Sequence, residues 1–166
     1  MENLRDLIER SFDEHAERPA LRVLDEGDAA NQYHPIAYAE LRQRRDRLAC
    51  GLARMGLRKG HRIGILTDGG TEPIVVFLAA DLLGLTAVPL CHKTSTEILV
   101  HSISRAGLEM LVVDDRGWEQ FVAIRGALHQ PPRILLTRGA AGEGTSWEDA
   151  QVEGSPPFVE LTAQDE

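Results

Sequence analysis

The side chains of this sequence with chemical reach are six histidines, at positions 15, 34, 61, 92, 101 and 129, two cysteines, Cys50 and Cys91, and an adjacent acid pair, Asp114-Asp115. No two histidines stand three or four residues apart, so none makes a metal pair on one helical face. His92 and His101 flank a helix start without a third ligand, and the set reads as surface histidines. A nucleophile elbow GxSxG, a zinc helix HExxH and a dinucleotide fingerprint GxGxxG are all absent. The nearest approach to a phosphate loop is Gly51-Leu-Ala-Arg-Met-Gly56-Leu57-Arg58, which has two glycines at the required spacing. It lacks the lysine and the hydroxyl residue, and it ends a helix where the loop must follow a strand.

Three further clusters have a chemical and a structural reading. Asp114-Asp115 ends an apolar run, where open α/β sheets place ligand residues; the plainer role is to cap the helix from Gly117. Asp68-Gly-Gly-Thr71 lies between a strand and a helix, as an anion-binding nest would, or as a turn in which Thr71 caps the helix. Arg42-Gln-Arg-Arg-Asp-Arg47 has no interleaved aromatics and reads as the solvated side of a helix.

Periodicity supplies the elements that position these groups. Apolar residues at helical spacing predict helices over Asn3–His15, Tyr38–Met55, Glu72–Leu83, Ser95–Arg105 and Gly117–Leu128. Ala20–Leu24 and Tyr33–Tyr38 read as a hairpin around DEGDAANQ. Arg62–Leu66, Thr86–Leu90, Glu109–Asp114 and Arg133–Thr137 are near-continuous apolar runs, as strands covered on both faces should be. Their alternation with helices predicts an α/β fold with a mostly parallel sheet. The helix from Glu72 is apolar nearly all round and should be sandwiched.

The chain has 166 residues and a net charge of −8, with 43% hydrophobic and 27% charged residues, a folded composition. Beyond Arg138 there is no Lys or Arg, while seven acids follow, so the body is nearly neutral and the tail acidic. That balance leaves no footprint for nucleic acid. Ile74–Cys91 holds 18 residues with one charge, but Asp81, Gly84 and Pro89 interrupt it, so a helix followed by a strand is expected in place of a membrane span. The two cysteines make no disulfide framework and the charged N-terminus is unlike a signal peptide, so a cytoplasmic setting is expected.

The order of segments carries a resemblance. Ile36-Ala-Tyr-Ala-Glu-Leu41, a helix closing on Gly51-Leu-Ala-Arg-Met-Gly56-Leu57, and Lys59-Gly-His-Arg-Ile-Gly-Ile65 resemble the opening of adenylate-forming enzymes, the acyl-CoA synthetases and related AMP-dependent ligases. Phe77–Leu90, a helix ending in Gly and a strand ending in Val-Pro-Leu, is similar to that family's second core motif. Ser95-Thr-Glu-Ile98 and Leu111-Val-Val-Asp114 continue the match, which covers roughly residues 10–138. Two positions depart from it: Ala37 stands where Thr or Ser is usual, losing a helix cap and about 1 kcal/mol, and His61 replaces an Asp.

The resemblance implies an incomplete adenylate-forming fold: residues 1–138 as the N-terminal α/β subdomain, and 139–166 as an acidic connection towards a phosphate-loop region, with Leu161–Glu166 similar to its lead-in. It implies a parent that uses ATP, Mg and CoA to convert a carboxylic acid to acyl-AMP and then to a thioester on CoA or a carrier thiol. Val88–Ser95 with Glu97 resembles the long-chain fatty acyl ligases. No catalytic or metal residue falls in this chain, and the fragment is expected to be inactive and to bind none of these cofactors tightly. Cys91, His92, Lys93 and Arg116 are the positions where the family meets CoA. The partners implied are the C-terminal remainder of the ligase and a second copy through the exposed apolar face. The competing expectation is a stand-alone, non-catalytic α/β binding module.

Overall fold

The computed structural model describes residues 3–24, 33–138 and 143–160. Helix α1 (Leu4–Glu14) begins at Asn3, whose side chain accepts from the Asp6 amide at 2.8 Å while the Asp6 carboxylate accepts from the Asn3 amide. This reciprocal cap satisfies two end donors of the helix. Its buried Phe12 lies under the Arg45 guanidinium, 4.8 Å from the ring centroid. The solvated-face reading of the arginine run therefore fails at Arg45, which is buried and paired with Glu9 and Asp46, though it holds for Arg44. A guanidinium this deep needs both its carboxylates, because burial without them would leave an uncompensated charge.

Strands β1 (Pro19–Leu24) and β2 (Tyr33–Ala37) pair antiparallel, as the hairpin reading expects; the intervening DEGDAANQ lies outside the described residues. Helix α2 (Tyr38–Arg54) starts at Ala37 without a side-chain cap. The chain supplies a substitute: the Tyr38 and Ala39 amides donate to the carbonyls of Arg18 and Ala16 at 3.0 and 2.9 Å. The link from α1 into β1 thus takes over the work of the missing hydroxyl.

The remaining strands form one parallel sheet in the order β4-β3-β5-β6-β7, from β3 (Arg62–Leu66), β4 (Thr86–Pro89), β5 (Met110–Val113), β6 (Arg133–Leu136) and β7 (Thr145–Ser146). Helix α3 (Glu72–Leu83) joins α2 on one face, while α4 (Thr96–Ala106) and α5 (Asp115–Ile124) cover the other. Alternation along the strands serves both cores. Ile63, Ile65, Met110, Val112 and Leu135 face α2 and α3, and Leu66, Leu111, Val113, Ile134 and Leu136 face α4 and α5. Two covered faces account for the unbroken apolar strands. The sandwiching of α3 is only partial, since Ile74 and Phe77 remain exposed. Thr71 occupies the N-cap position of α3 but its hydroxyl makes no capping bond, because its backbone is already helical. Among the described residues no helix is long and apolar enough to cross a membrane.

Strand β7 and the single turn α6 (Trp147–Ala150) are elements that periodicity did not indicate. Both are too short for a pattern to repeat. They are seated by close approach: a Cβ on Gly51 would lie 1.9 Å from the Ala150 carbonyl oxygen, and the Val152 amide donates to the Arg47 carbonyl. The glycine of the phosphate-loop near match is thus the site where α6 docks on α2. Gly51→Ala gains about 1 kcal/mol of helix propensity, yet it forces α6 off α2. We expect a net loss on the order of 1–2 kcal/mol in urea unfolding, with a shift in Trp147 fluorescence; unchanged stability would exclude this packing role.

Arg5 ties α1 to two distant segments, donating to the carbonyls of Asp81 and Val159. Burial pushes the Asp81 carboxyl above the usual carboxylate range, and Arg5, with its Nε 3.7 Å from Asp81 Oδ2, only partly opposes that. A raised folded pKa means that the native state binds this proton more tightly than the unfolded chain, so the group's contribution falls as pH rises through that range. Asp81→Asn keeps the Arg5-to-carbonyl bond. Thermal melts should show the variant gaining on the native chain between pH 4 and pH 7; the reverse trend would mean that the Arg5 attraction outweighs burial.

Candidate functional site at the carboxyl edge of the sheet

The chain leaves β3 through α3 on one face to reach β4, and leaves β5 through α5 on the other face to reach β6. Neighbouring strands β3 and β5 therefore send their exits apart. A crevice opens at such a switch point, outside the carboxyl ends of the strands, and open α/β sheets bind ligands there. Asp68 follows β3 and Asp114 follows β5, so two of the acids singled out by sequence meet at this crevice.

Asp114 is the N-cap of α5: its Oδ1 accepts from the Gly117 amide at 2.8 Å, and the helix starts at Asp115, two residues earlier than periodicity indicates. Its Oδ2 accepts from the Asp68 amide at 2.6 Å. Arg116, in the first turn of α5, reaches back to Asp68 at 2.6 Å. That hydrogen bond is the largest cause holding the Asp68 carboxyl below the usual carboxylate range, with His92, Arg116 and Lys93 adding attraction. Lys93, from the loop after β4, and Arg116, from α5, thus act on the same carboxylate. Both are exposed.

His92, in the loop after β4, contradicts the surface reading of the histidines: its side chain is 3% exposed. Gln120 on α5 holds it twice, with its Oε1 2.8 Å from Nδ1 and its Nε2 donating to the His92 carbonyl at 2.9 Å. The other ring nitrogen, Nε2, has no hydrogen-bond partner and points towards Asp114 and Asp68, at 3.7 and 3.8 Å. Cys91 is exposed beside it, and its sulfur accepts from the Lys93 amide at 3.4 Å. The structure therefore brings Asp68, His92, Lys93, Asp114 and Arg116 to one rim. His15, His34, His101 and His129 lie outside this cluster, and no group of three or more His, Cys, Asp or Glu suited to a metal occurs among the described residues. Gln120 is the participant that sequence reasoning did not single out; its partner lies 28 residues away and no local pattern marks the pair.

A cleft of about 240 Å³ runs along this edge, lined by Asp68, Gly69, Asp114, Asp115, Arg116, Thr137 and Arg138. A larger one of about 540 Å³ lies between the hairpin and the start of α3, lined by Leu21, Val23, Leu24, Ile74, Arg22 and Arg138 among others. Size favours the second, but its walls hold no clustered acids, bases or nucleophiles, whereas the smaller sits at the switch point among charged groups. Its charged lining is mixed: the carboxylates of Asp68, Asp114 and Asp115 stand with the guanidinium groups of Arg116 and Arg138, and exposed Lys93 adds its attraction to Asp68.

The AMP-binding enzyme family matches residues 8–165. The acyl-CoA ligase sidI of Aspergillus fumigatus is 33% identical over 130 residues, 72% of this chain and 22% of that protein. The 3-hydroxybenzoate–CoA/4-hydroxybenzoate–CoA ligase of Thauera aromatica is 27% identical over 101 residues, 61% of this chain and 19% of that protein. The chain thus spans about a fifth of the length of these relatives. Among solved structures, the acetoacetyl-CoA synthetase of Streptomyces lividans superposes on 96% of this chain and 26% of its own, with a TM-score of 0.82 at 18% identity, which is a likeness of fold. With the order of motifs, the α/β topology and the family match in agreement, the chain belongs to the AMP-binding enzyme family, as the N-terminal part of an AMP-forming acyl-CoA ligase-like protein.

Proposed function

We propose that this chain forms the N-terminal part of a ligase that activates a carboxylic acid with ATP and passes the acyl group to a thiol, and that its own contribution lies on the thiol side. In the first half-reaction the carboxylate attacks the α-phosphate of ATP, giving acyl-AMP and pyrophosphate. In the second, a thiol of CoA or of a carrier arm attacks the acyl carbon, AMP leaves, and the thiol proton is released. The observation that supports the thiol-side role is the rim itself: Lys93 and Arg116 stand exposed around the carboxylate of Asp68, at the switch-point crevice. Two exposed cations fit the phosphates of CoA. Cys91, His92, Lys93 and Arg116 are the residues we assign to the CoA side, with Lys93 and Arg116 as the charged contacts.

Residues 1–138 are the α/β subdomain in this reading, and 139–166 lead towards the phosphate-loop region. ATP and Mg are assigned to the remainder of the ligase, because the nearest phosphate-loop match in this chain packs its glycine against Ala150. The chain alone is therefore inactive in adenylation and binds these cofactors weakly. For the acyl group we favour a long-chain fatty acid, on the likeness of Val88–Ser95 and Glu97 to that class, and we place the protein in the cytoplasm, where the unpaired Cys50 and Cys91 would stay reduced. The exposed Ile74 and Phe77 on α3 suit cover by the remainder of the ligase or by a second copy.

Two measurements decide this. ATP–pyrophosphate exchange on the 166-residue chain should be absent, and clear exchange would overturn the assignment of adenylation to the remainder. Titration with CoA, followed by amide shifts, should perturb residues 91–93 and 116, and the Lys93→Ala/Arg116→Ala double variant should weaken the response about tenfold or more, as loss of charge-assisted bonds requires. Shifts confined to other surfaces would remove CoA from this rim.

A further inference from the structure

The buried histidine at the rim has its protonation pattern written into its partners. The Gln120 amide nitrogen donates to the His92 carbonyl, which can only accept, so the atom 2.8 Å from His92 Nδ1 is the amide oxygen. That oxygen is an acceptor as well, and Nδ1 must therefore carry a proton. In the neutral ring Nε2 is then a bare lone pair. It has no hydrogen-bond partner, and the polar atoms it faces are carboxylate oxygens of Asp114 and Asp68, which do not donate when ionised. The ring is consequently oriented from one side, by Gln120.

The same pair fixes the backbone. Within the loop the bonds are local, from the Thr94 amide to the Cys91 carbonyl at 3.3 Å and from the Lys93 amide to the Cys91 sulfur. Gln120 supplies the hydrogen bonds that leave this loop for α5, and it sits one turn beyond Arg116 on that helix. We propose that Gln120 is a positioning residue: by holding both the ring and the carbonyl of His92, it sets the tautomer of that ring and keeps residues 91–94 against α5, so that Lys93 and Arg116 address one crevice. His92 thereby serves as the peg by which the loop is held and not as a direct ligand contact. The significance of this for the reaction rests on the reading of the rim as the CoA side, while the geometry itself is tested without CoA.

The experiment uses the 166-residue chain with ¹⁵N-labelled histidine. Ring spectra of the neutral form should place the proton of His92 on Nδ1, and Gln120→Leu should move it towards Nε2. Hydrogen exchange of the Thr94 amide, held in the seated loop by the Cys91 carbonyl, should rise about tenfold in that variant, the scale expected for losing hydrogen bonds worth about 1 kcal/mol each, while the amides of the sheet stay protected. Gln120→Glu keeps an acceptor for Nδ1 and loses the donor, so it should retain the tautomer and still free the loop; it also serves if Gln120→Leu does not fold. A native neutral ring protonated on Nε2 overturns the proposal, as does an unchanged Thr94 exchange rate in both variants. An equal rise in exchange at the sheet amides would show a merely structural role and overturn it too. The CoA titration with the Lys93/Arg116 variant reports separately on the ligand, so failure of that reading leaves these outcomes readable.

Discussion

The carboxylate of Asp114 is the constraint from which the carboxyl edge of the sheet is built. One oxygen closes the first turn of α5 through Gly117, and the other takes the Asp68 amide at the exit of β3. Strands β3 and β5 pair as far as Leu66 and Val113, and beyond that ladder their connections leave for opposite faces. Past the last pair the Asp114 side chain joins the two exits, at a helix N-terminus where a carboxylate is favoured. Gly117 allows the approach: a Cβ there would lie 2.3 Å from the Leu66 carbonyl oxygen. With α5 seated against β3, Arg116 reaches Asp68, and Gln120, a turn further along, meets His92.

Charge at this edge follows from that arrangement and not from the composition. The chain is acidic overall, and the crevice is lined by three aspartates, Asp68, Asp114 and Asp115, which taken alone would repel an anion. Two of them are engaged by donors. Asp114 is taken up by two backbone amides and Asp68 by the Arg116 guanidinium, which is why its carboxyl stays ionised below the ordinary range. Lys93 and Arg116 are exposed on the rim, with Arg116 shared with Asp68. Local orientation of donors and acceptors, not net charge, sets the field that a ligand meets there.

Much of the fold was legible because it is written in periods. The sheet strands are apolar on both faces and the helices amphipathic, so their limits were readable to within a few residues. What escaped is short or non-local. Strand β7 has two residues and α6 one turn, and their place depends on a glycine gap in α2 about a hundred residues away. The burial of Arg45 escaped because its partner carboxylate Glu9 belongs to another helix. At the site, Asp114 was legible as the end of a strand and Arg116 and Lys93 as loop cations, but the burial of His92 was not. The ring is held through Nδ1 alone, by Gln120, and nothing in the sequence near either residue marks that pair.

The likeness of fold to a synthetase at 18% identity has a corollary for function. Alternating apolar strands and covering helices specify this topology with many different sequences, so the topology alone says little about function. Specificity has to reside in side chains that the packing does not dictate. At the carboxyl edge these are few, because Asp114 and Gly117 are occupied in joining β3, β5 and α5, and His92 and Gln120 in fixing the loop after β4. Exposed Lys93, Asp115, Arg116 and Arg138 remain as the charged groups of the edge that packing does not dictate.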